Sequence, residues 1–489
     1  MTDTTTRPPR LRHAALLLCG TTAGMLLLDI HKVSIAIPSI ERALHPGPVG
    51  MQLISAAYVV CFAVTLIPAG RLGDQGRRRQ LTFAGLYLYL LASVVCAAAP
   101  GAEVLIAGRA LLGVAAGMLM PQMMGIVQQL FAGPERGRAF GTYGMCVSLA
   151  TALGPSLGGL LLTTPLLGWR GVFVMNVPVG VALLVAAHLI LPTLGPVPGG
   201  ERRRPDIDVM GLAIGTSVIV LSLAPLILTT GRPSDAAGRW WTLLPAAAMG
   251  VWFVVQSRRR MSRGQSALVD VLLLRIASFR NGVLVSLTWF ASSPGFLLGL
   301  TIFLQQARGF SPFLAGLVLL PSSATSVLGS WIGGRLVAQW GRLLTGVGML
   351  AALTSVLGTL ALLHTDASDE AVIAGIALLQ LLAGVGAGLV VSPNHSMTLM
   401  DVPSSHGSAA SAIGQLGQRI SNSLGVAFAS MAYYSIIYGS GHTLVDAPAD
   451  VHLAALDRTT VVACGFLLAA LAVIVMDRRR QLRSAPTPP

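Results

Sequence analysis

Asp29 is the only carboxylate set well inside a long apolar run of this 489-residue sequence, and Lys32 follows it by three residues. On a helix that spacing places both on one face, with His31 on another. Arg109 and Arg419 are the other lysine or arginine residues set well inside apolar runs. Each costs roughly 2.5–3.5 kcal/mol at the centre of a bilayer, so each requires a partner or a task. Two readings fit Asp29. It can neutralise Lys32 in a structural pair, or it can exchange protons. Burial favours the neutral carboxyl, whereas Lys32 and Arg109 favour the carboxylate. Influences so opposed let the opening of a water-filled cavity change the protonation state. His31 supplies either a local hydrogen bond or a relay position.

Ser411, Gln415, Gln418 and Asn422 recur at i, i+4, i+7 and i+11, with Arg419 four residues after Gln415. A polar stripe of this kind in a membrane helix lines a cavity or bonds another helix, and the spacing fits both. Gly154-Pro155-Ser156-Leu157-Gly158-Gly159 combines a missing backbone donor with three glycines, which permits a packing kink or a flexible seal between helices. Enzyme motifs are not found. Gly384-Val385-Gly386-Ala387-Gly388 lies within an apolar run with no strand before it, so it reads as helix packing and not as a phosphate cradle. Cys19, Cys61, Cys96, Cys146 and Cys464 share no metal-ligand spacing and read as small buried residues. No catalytic residue, metal or cofactor is expected.

The elements that position these residues follow from composition. Hydrophobic residues make up 54%, charged residues 11%, and mean hydropathy is +0.73. Soluble domains carry about 25% charged residues, so a soluble enzyme, a disordered chain and a coiled coil are all excluded. Apolar runs long enough to cross a bilayer fall at 14–38, 51–71, 80–99, 102–124, 138–162, 172–192, 209–229, 241–256, 281–304, 313–337, 343–363, 371–392, 406–437 and 459–476. They are continuous, not alternating, which selects helices over a barrel. The first is interrupted by Asp29, His31 and Lys32 and lacks a small-residue cleavage pattern, so it reads as an uncleaved helix and not a signal peptide. Asp29 lies nine residues before Pro38, and Arg109 seven residues into the fourth run. Both therefore sit about 10–14 Å below the outer surface and could face each other across a cavity.

The net charge of +14 is a statement of topology. Fourteen spans put both termini on one side, and assigning that side to the cytoplasm places 24 of the 33 basic residues there. No nucleic-acid partner is needed to explain the excess. Gly70-Arg71-Leu72-Gly73-Asp74 ends the second run, and Gly334-Arg335-Leu336-Val337-Ala338 ends the tenth. Two six-helix units, 1–193 and 276–489, then flank a linker with an inserted helix pair, 194–275. Repeated six-helix units around a central site are a transporter architecture.

Several of these segments together carry a family resemblance. Gly70-Arg71-Leu72-Gly73-Asp74-Gln75-Gly76-Arg77-Arg78-Arg79 resembles the loop 2–3 signature of the major facilitator superfamily. Leu105 to Gly117, with Arg109 and Gly113, is similar to its helix 4 motif, and Gly154-Pro155 with Gly158-Gly159 to its helix 5 antiporter motif. Leu28-Asp29 through Ala36-Ile37-Pro38, and Trp169-Arg170-Gly171-Val172-Phe173 followed by Asn176-Val177-Pro178-Val179-Gly180, resemble the fourteen-helix drug:proton antiporter branch of the EmrB/QacA type. The resemblance implies an all-α polytopic fold of two six-helix bundles plus two inserted helices, and a proton-coupled exporter of small amphipathic compounds in a bacterial cytoplasmic membrane, functional as a monomer. It implies proton coupling at Asp29 and Arg109, with Lys32 and His31 beside them. It also implies a cytoplasmic gate at Gly70, Asp74, Arg77 and Arg78. In this reading Ser411, Gln415, Gln418, Arg419 and Asn422 line the substrate cavity. The sequence departs from the signatures at Arg77, where glycine is usual, at Ala338 in place of Asp, and at Leu112 in place of Gln. Uptake or facilitated diffusion on the same fold is the alternative, with a non-transport membrane protein behind it.

Overall fold

The computed structural model describes residues 9–162, 167–191, 208–228, 240–263, 271–403, 406–442 and 446–484, and those residues form helices without a strand. In chain order the long helices are α1 (Pro9–Leu44), α2 (Gly47–Leu72), α3 (Arg78–Ala97), α4 (Ala102–Leu130), α5 (Gly133–Leu162), α6 (Asn176–Ile190), α7 (Val209–Leu228), α8 (Leu243–Ser262), α9 (Ala277–Gln306), α10 (Pro312–Trp340), α11 (Arg342–Leu363), α12 (Asp369–Thr398), α13 (Gly407–Gly439) and α14 (Ala449–Ser484). A backbone in hydrocarbon must satisfy its hydrogen bonds within its own segment, which is why apolar runs become helices. Many outlast their apolar runs at both ends. The run at 459–476 sits inside the 36-residue α14, because a helix continues into polar turns wherever its backbone bonds are met.

Ten helical segments among the described residues are long and apolar enough to cross a membrane. One of the ten, Ala56–Ala97, runs through the α2–α3 connection. The expected fourteen spans are thus not all matched by that measure. The apolar stretch of α7, Met210–Ser222, is short, while α8 ends in Arg258-Arg259-Arg260 and α5 begins around Glu135, Arg136 and Arg138. The outward faces suit hydrocarbon. Leu189, Val461 and Leu244 are 70%, 71% and 75% exposed, a surface that water would penalise.

The chain divides into two compact units: Met1–Ala132 with Leu149–Ile276 and Asp401–Leu416, and Gly133–Ser148 with Ala277–Met400 and Gly417–Pro489. Helices α5 and α13 thus each contribute one segment to each unit. In the first unit α2 lies along α4 because glycine faces the contact. A Cβ on Gly117 would stand 2.7 Å from the Phe62 carbonyl. In the second unit Gly384 and Gly388 face α10, and Gly386 approaches the Gly348 carbonyl of α11, so the glycine run of α12 serves two helix contacts. The turn between α2 and α3 contains Gly76 at φ 85°, a conformation that side chains resist. Arg77, which stands where the family signature has glycine, keeps an ordinary φ of −96°. The five cysteines are free, and no disulfide forms among them.

Candidate functional site

Five helices of the first unit converge on Asp29. Its carboxylate accepts from Arg109 Nη1 of α4 at 2.7 Å, lies 3.0 Å from Lys32 Nζ one turn along α1, and accepts from Asn176 Nδ2 of α6 at 3.0 Å. Asn176 completes a bridge, because its Oδ1 accepts from Lys32 while its Nδ2 also reaches Ser93 Oγ of α3 at 3.2 Å. Arg109 is held from α2 as well. Its Nε donates to the Ile54 carbonyl at 3.1 Å, and its guanidinium lies 4.5 Å from the centre of the Tyr58 ring. Tyr58 in turn donates to the Leu26 carbonyl of α1 at 2.8 Å. Asp29, Lys32, Asn176 and Arg109 are all at most 2% exposed.

The arrangement has one carboxylate for two cations, so it carries a net +1 sealed away from water. Asp29 is the node to which both cations and the amide attach. Protonating it would remove the anion from two ion pairs and raise the cluster to +2. Asp29 and Arg109, expected from sequence to face each other, meet directly. The side chains of His31 and Pro155 lie outside the described residues, as does the packing of Gly159. Gly154 is buried, and Gly158 brings α5 against α1 at the cluster, where a Cβ would stand 3.1 Å from Lys32 Cα.

Sequence reasoning missed Asn176, Tyr58 and Ser93 as members of the site. Asn176 stood in a quoted motif, but its partners are 147, 144 and 83 residues away, beyond any local spacing signal. Tyr89, fully buried on α3, has a hydroxyl without a hydrogen-bond partner among the described residues. Replacing Asn176 by Leu keeps the volume and removes the bridge. Leaving buried polar partners short costs about 2 kcal/mol, so the thermal unfolding midpoint in detergent should fall. An unchanged midpoint would show that the amide contributes nothing.

A second constellation surrounds the α2–α3 turn in the same unit. Asp74 accepts from the backbone N–H groups of Ser408 at 3.0 Å and Ala409 at 2.7 Å, the first turn of α13. A carboxylate there meets both the orphan donors and the positive end of the helix dipole. Arg78, buried despite its place in an arginine run, donates to Asp74 at 3.0 Å, the Gly125 carbonyl at 3.0 Å, Gln129 Oε1 at 3.0 Å and Ser408 Oγ at 3.1 Å. Gly70 allows the approach: a Cβ would stand 2.7 Å from the Ser408 carbonyl. Arg77 is exposed and takes no part in this network.

The polar stripe of α13 divides. Ser411 donates to Met124 Sδ of α4 at 2.7 Å and Gln415 to the same sulfur at 3.5 Å, both within the first unit. These two residues act as interhelical bonds. Gln418, buried, and Arg419 and Asn422, half-buried, belong to the second unit.

Comparison with known proteins adds an independent line. The sequence model described as Major Facilitator Superfamily matches residues 15–426. A protein named "Probable actinorhodin transporter" from Streptomyces coelicolor is 32% identical over 98% of this chain and 83% of its own length. "Multidrug resistance protein Stp" from Mycobacterium tuberculosis is 30% identical over 86% of this chain and 75% of its own. In fold, the chain is similar to the crystal structure of the human organic anion transporter MFSD10 (TETRAN), with a TM-score of 0.66, 17% identity, and coverage of 96% of this chain and 100% of that one.

Proposed function

Because the chain belongs to the Major Facilitator Superfamily, whose relatives similar to it are named as antibiotic and multidrug transporters, we propose that it is a proton-coupled exporter of small amphipathic compounds. It works by alternating access between two six-helix bundles, with α7 and α8 as the inserted pair and both termini in the cytoplasm, on the fourteen-span plan of its drug:proton antiporter branch. The single observation that carries the coupling is the buried Asp29 node, where one carboxylate holds α1, α4 and α6 through two cations and an amide.

In this cycle external protons reach Asp29 when the outer side opens. Protonation detaches Arg109 and Lys32 from the carboxyl, and the three helices are free to shift. Release of the proton inward re-forms both ion pairs. Asp74 and Arg78 secure α13 at the inner end while the outer side is open. Lys32 is engaged with Asp29 and Asn176, so it becomes available to an anionic group only in the protonated state.

The test uses everted vesicles with an imposed pH gradient and a panel of cationic, neutral and anionic compounds. Accumulation that depends on the gradient and collapses with a protonophore is the expected result. Accumulation unaffected by the protonophore removes the proton coupling. Movement in the opposite direction, with protons, identifies uptake.

A further inference from the structure

Tyr89 is a buried group that the coupling cycle leaves without a task. It lies on α3, is fully buried, and its hydroxyl has no hydrogen-bond partner among the described residues. A buried hydroxyl without a partner is costly, and phenylalanine would fill the same space without that cost. The residue is nonetheless built into the Asp29 node. Ser93, one turn along α3, donates to the Tyr89 carbonyl at 2.7 Å and accepts from Asn176 at 3.2 Å. A Cβ on Gly180, one turn beyond Asn176 on α6, would stand 3.8 Å from the Tyr89 ring. Tyr89 is within electrostatic range of Asp29 foremost, then of Tyr58 and Arg109. Tyr58, by contrast, is engaged, since its hydroxyl donates to the Leu26 carbonyl at 2.8 Å.

As it stands, the node serves the ionised carboxylate. Arg109 Nη1, Lys32 Nζ and Asn176 Nδ2 are all donors to Asp29. Protonation reverses the need, because a carboxylic acid carries an O–H that must find an acceptor. Arginine and lysine offer none. Asn176 Oδ1 is taken by Lys32, and Ser93 Oγ already accepts from Asn176. Cys96 of α3, also within electrostatic range of Asp29, offers a sulfur that accepts only weakly. Among the described groups in that range, the Tyr89 oxygen is the strong acceptor with no partner.

We propose that the Tyr89 hydroxyl accepts the O–H of protonated Asp29 and holds the neutral carboxyl once Arg109 and Lys32 have let go. Tyr89 is thus a positioning residue: one external proton binds Asp29, and Tyr89 keeps its own. The proposal rests on the reading of Asp29 as the proton-coupling residue. Among the described residues, the charged and titratable groups around that carboxyl are Lys32 on α1, Tyr58 on α2, Tyr89 and Cys96 on α3, and Arg109 on α4. Helix α6 presents the Asn176 amide, and α5 meets α1 there at Gly158. Lys32 and Arg109 favour the ionised form, and Tyr89 opposes them by bonding to the neutral one.

The test is infrared difference spectroscopy of the purified full chain in lipid, titrated from alkaline to acidic pH. A carboxylic-acid C=O band that is absent from Asp29→Asn reports protonated Asp29. A hydrogen bond to the neutral form is worth about tenfold in the protonation equilibrium, which is about one pH unit. Tyr89→Phe should therefore move the midpoint of that band about one unit toward acid. Its unfolding midpoint at alkaline pH should be no lower than that of the wild type, since the ionised state does not use the hydroxyl. An unmoved band midpoint overturns the role of Tyr89 and leaves Asp29 as the proton site. A shift toward alkali also overturns it, because the hydroxyl would then serve the carboxylate. So does a lowered unfolding midpoint at alkaline pH, the mark of a hydroxyl that stabilises the ionised fold. A wild type with no Asp29-dependent band at any pH overturns the proton coupling itself, and the part of Tyr89 falls with it.

Discussion

Replacing Asp29 by Asn is expected to stop proton-driven export while leaving the protein in the membrane. The amide keeps the size and some hydrogen bonding of the carboxylate but neither binds nor releases a proton in the working range. It also leaves Lys32 and Arg109 without the anion they share. Breaking a buried ion pair by removing one partner costs roughly 3–5 kcal/mol, so the variant must be tested for a second property as well. Substrate exchange in the absence of any gradient separates the two roles of the residue. Exchange that persists while gradient-driven efflux falls to the passive leak assigns proton coupling to Asp29. Loss of both, with a lowered unfolding midpoint, assigns it to structure. Undiminished ethidium efflux from cells carrying Asp29→Asn would remove Asp29 from the mechanism altogether.

The second large effect is expected at Asp74. Its carboxylate makes two charge-assisted bonds to the first turn of α13 and an ion pair with Arg78. Asparagine can replace one acceptor but not the charge. A loss of about 2 kcal/mol follows for hydrogen bonds to a charged group, roughly 30-fold in the equilibrium between the closed and open states of that end. Asp74→Asn should therefore slow transport strongly and leave substrate affinity near that of the wild type. Equilibrium binding of a fluorescent substrate alongside efflux rates measures both quantities. Lost binding would contradict a gating role.

Much of the Asp29 site could be read from the chain because its information is local or additive. The Asp29–Lys32 spacing is a property of one helix, and the depth of Arg109 follows from counting residues at a fixed rise. The glycines that let helices touch were visible as runs, although which helix each one met was not. Asn176 was hidden because an isolated amide in an apolar helix carries no periodic signal. Its meaning depends on α1 and α3, which arrive from far earlier in the chain. Arg78 was one arginine among several in a basic loop, and only the fold distinguishes it from exposed Arg77 by burying it between α3, α4 and α13.

The second repeat shows the same limit from the other side. Ala338 stands where the first copy has Asp74, which reads as the loss of a carboxylate. The second unit nevertheless supplies one. Arg342 begins α11 as Arg78 begins α3, and its carboxylate comes from Asp477 on α14, which also accepts from Asn281 of α9. Asn394 of α12 accepts from Arg342 at 3.3 Å and donates to the Gly282 carbonyl at 2.9 Å. The repeat keeps the arginine and takes its counter-charge from a helix 135 positions later, a substitution that no alignment of the two loops could reveal.

That displacement of the carboxylate sets an order on biogenesis. A chain emerging from the ribosome presents Asp29, Lys32 and Arg109 within 81 residues, so Asp29 meets both of its cations early. Arg342 must wait for α14, whose Asp477 is translated 135 residues later. Until then its guanidinium lacks the carboxylate it pairs with, and the second unit is held in an unfinished state. A nascent protein cut short before Asp477 would carry that charge as a mark of incompleteness, open to the proteases that clear half-assembled membrane proteins.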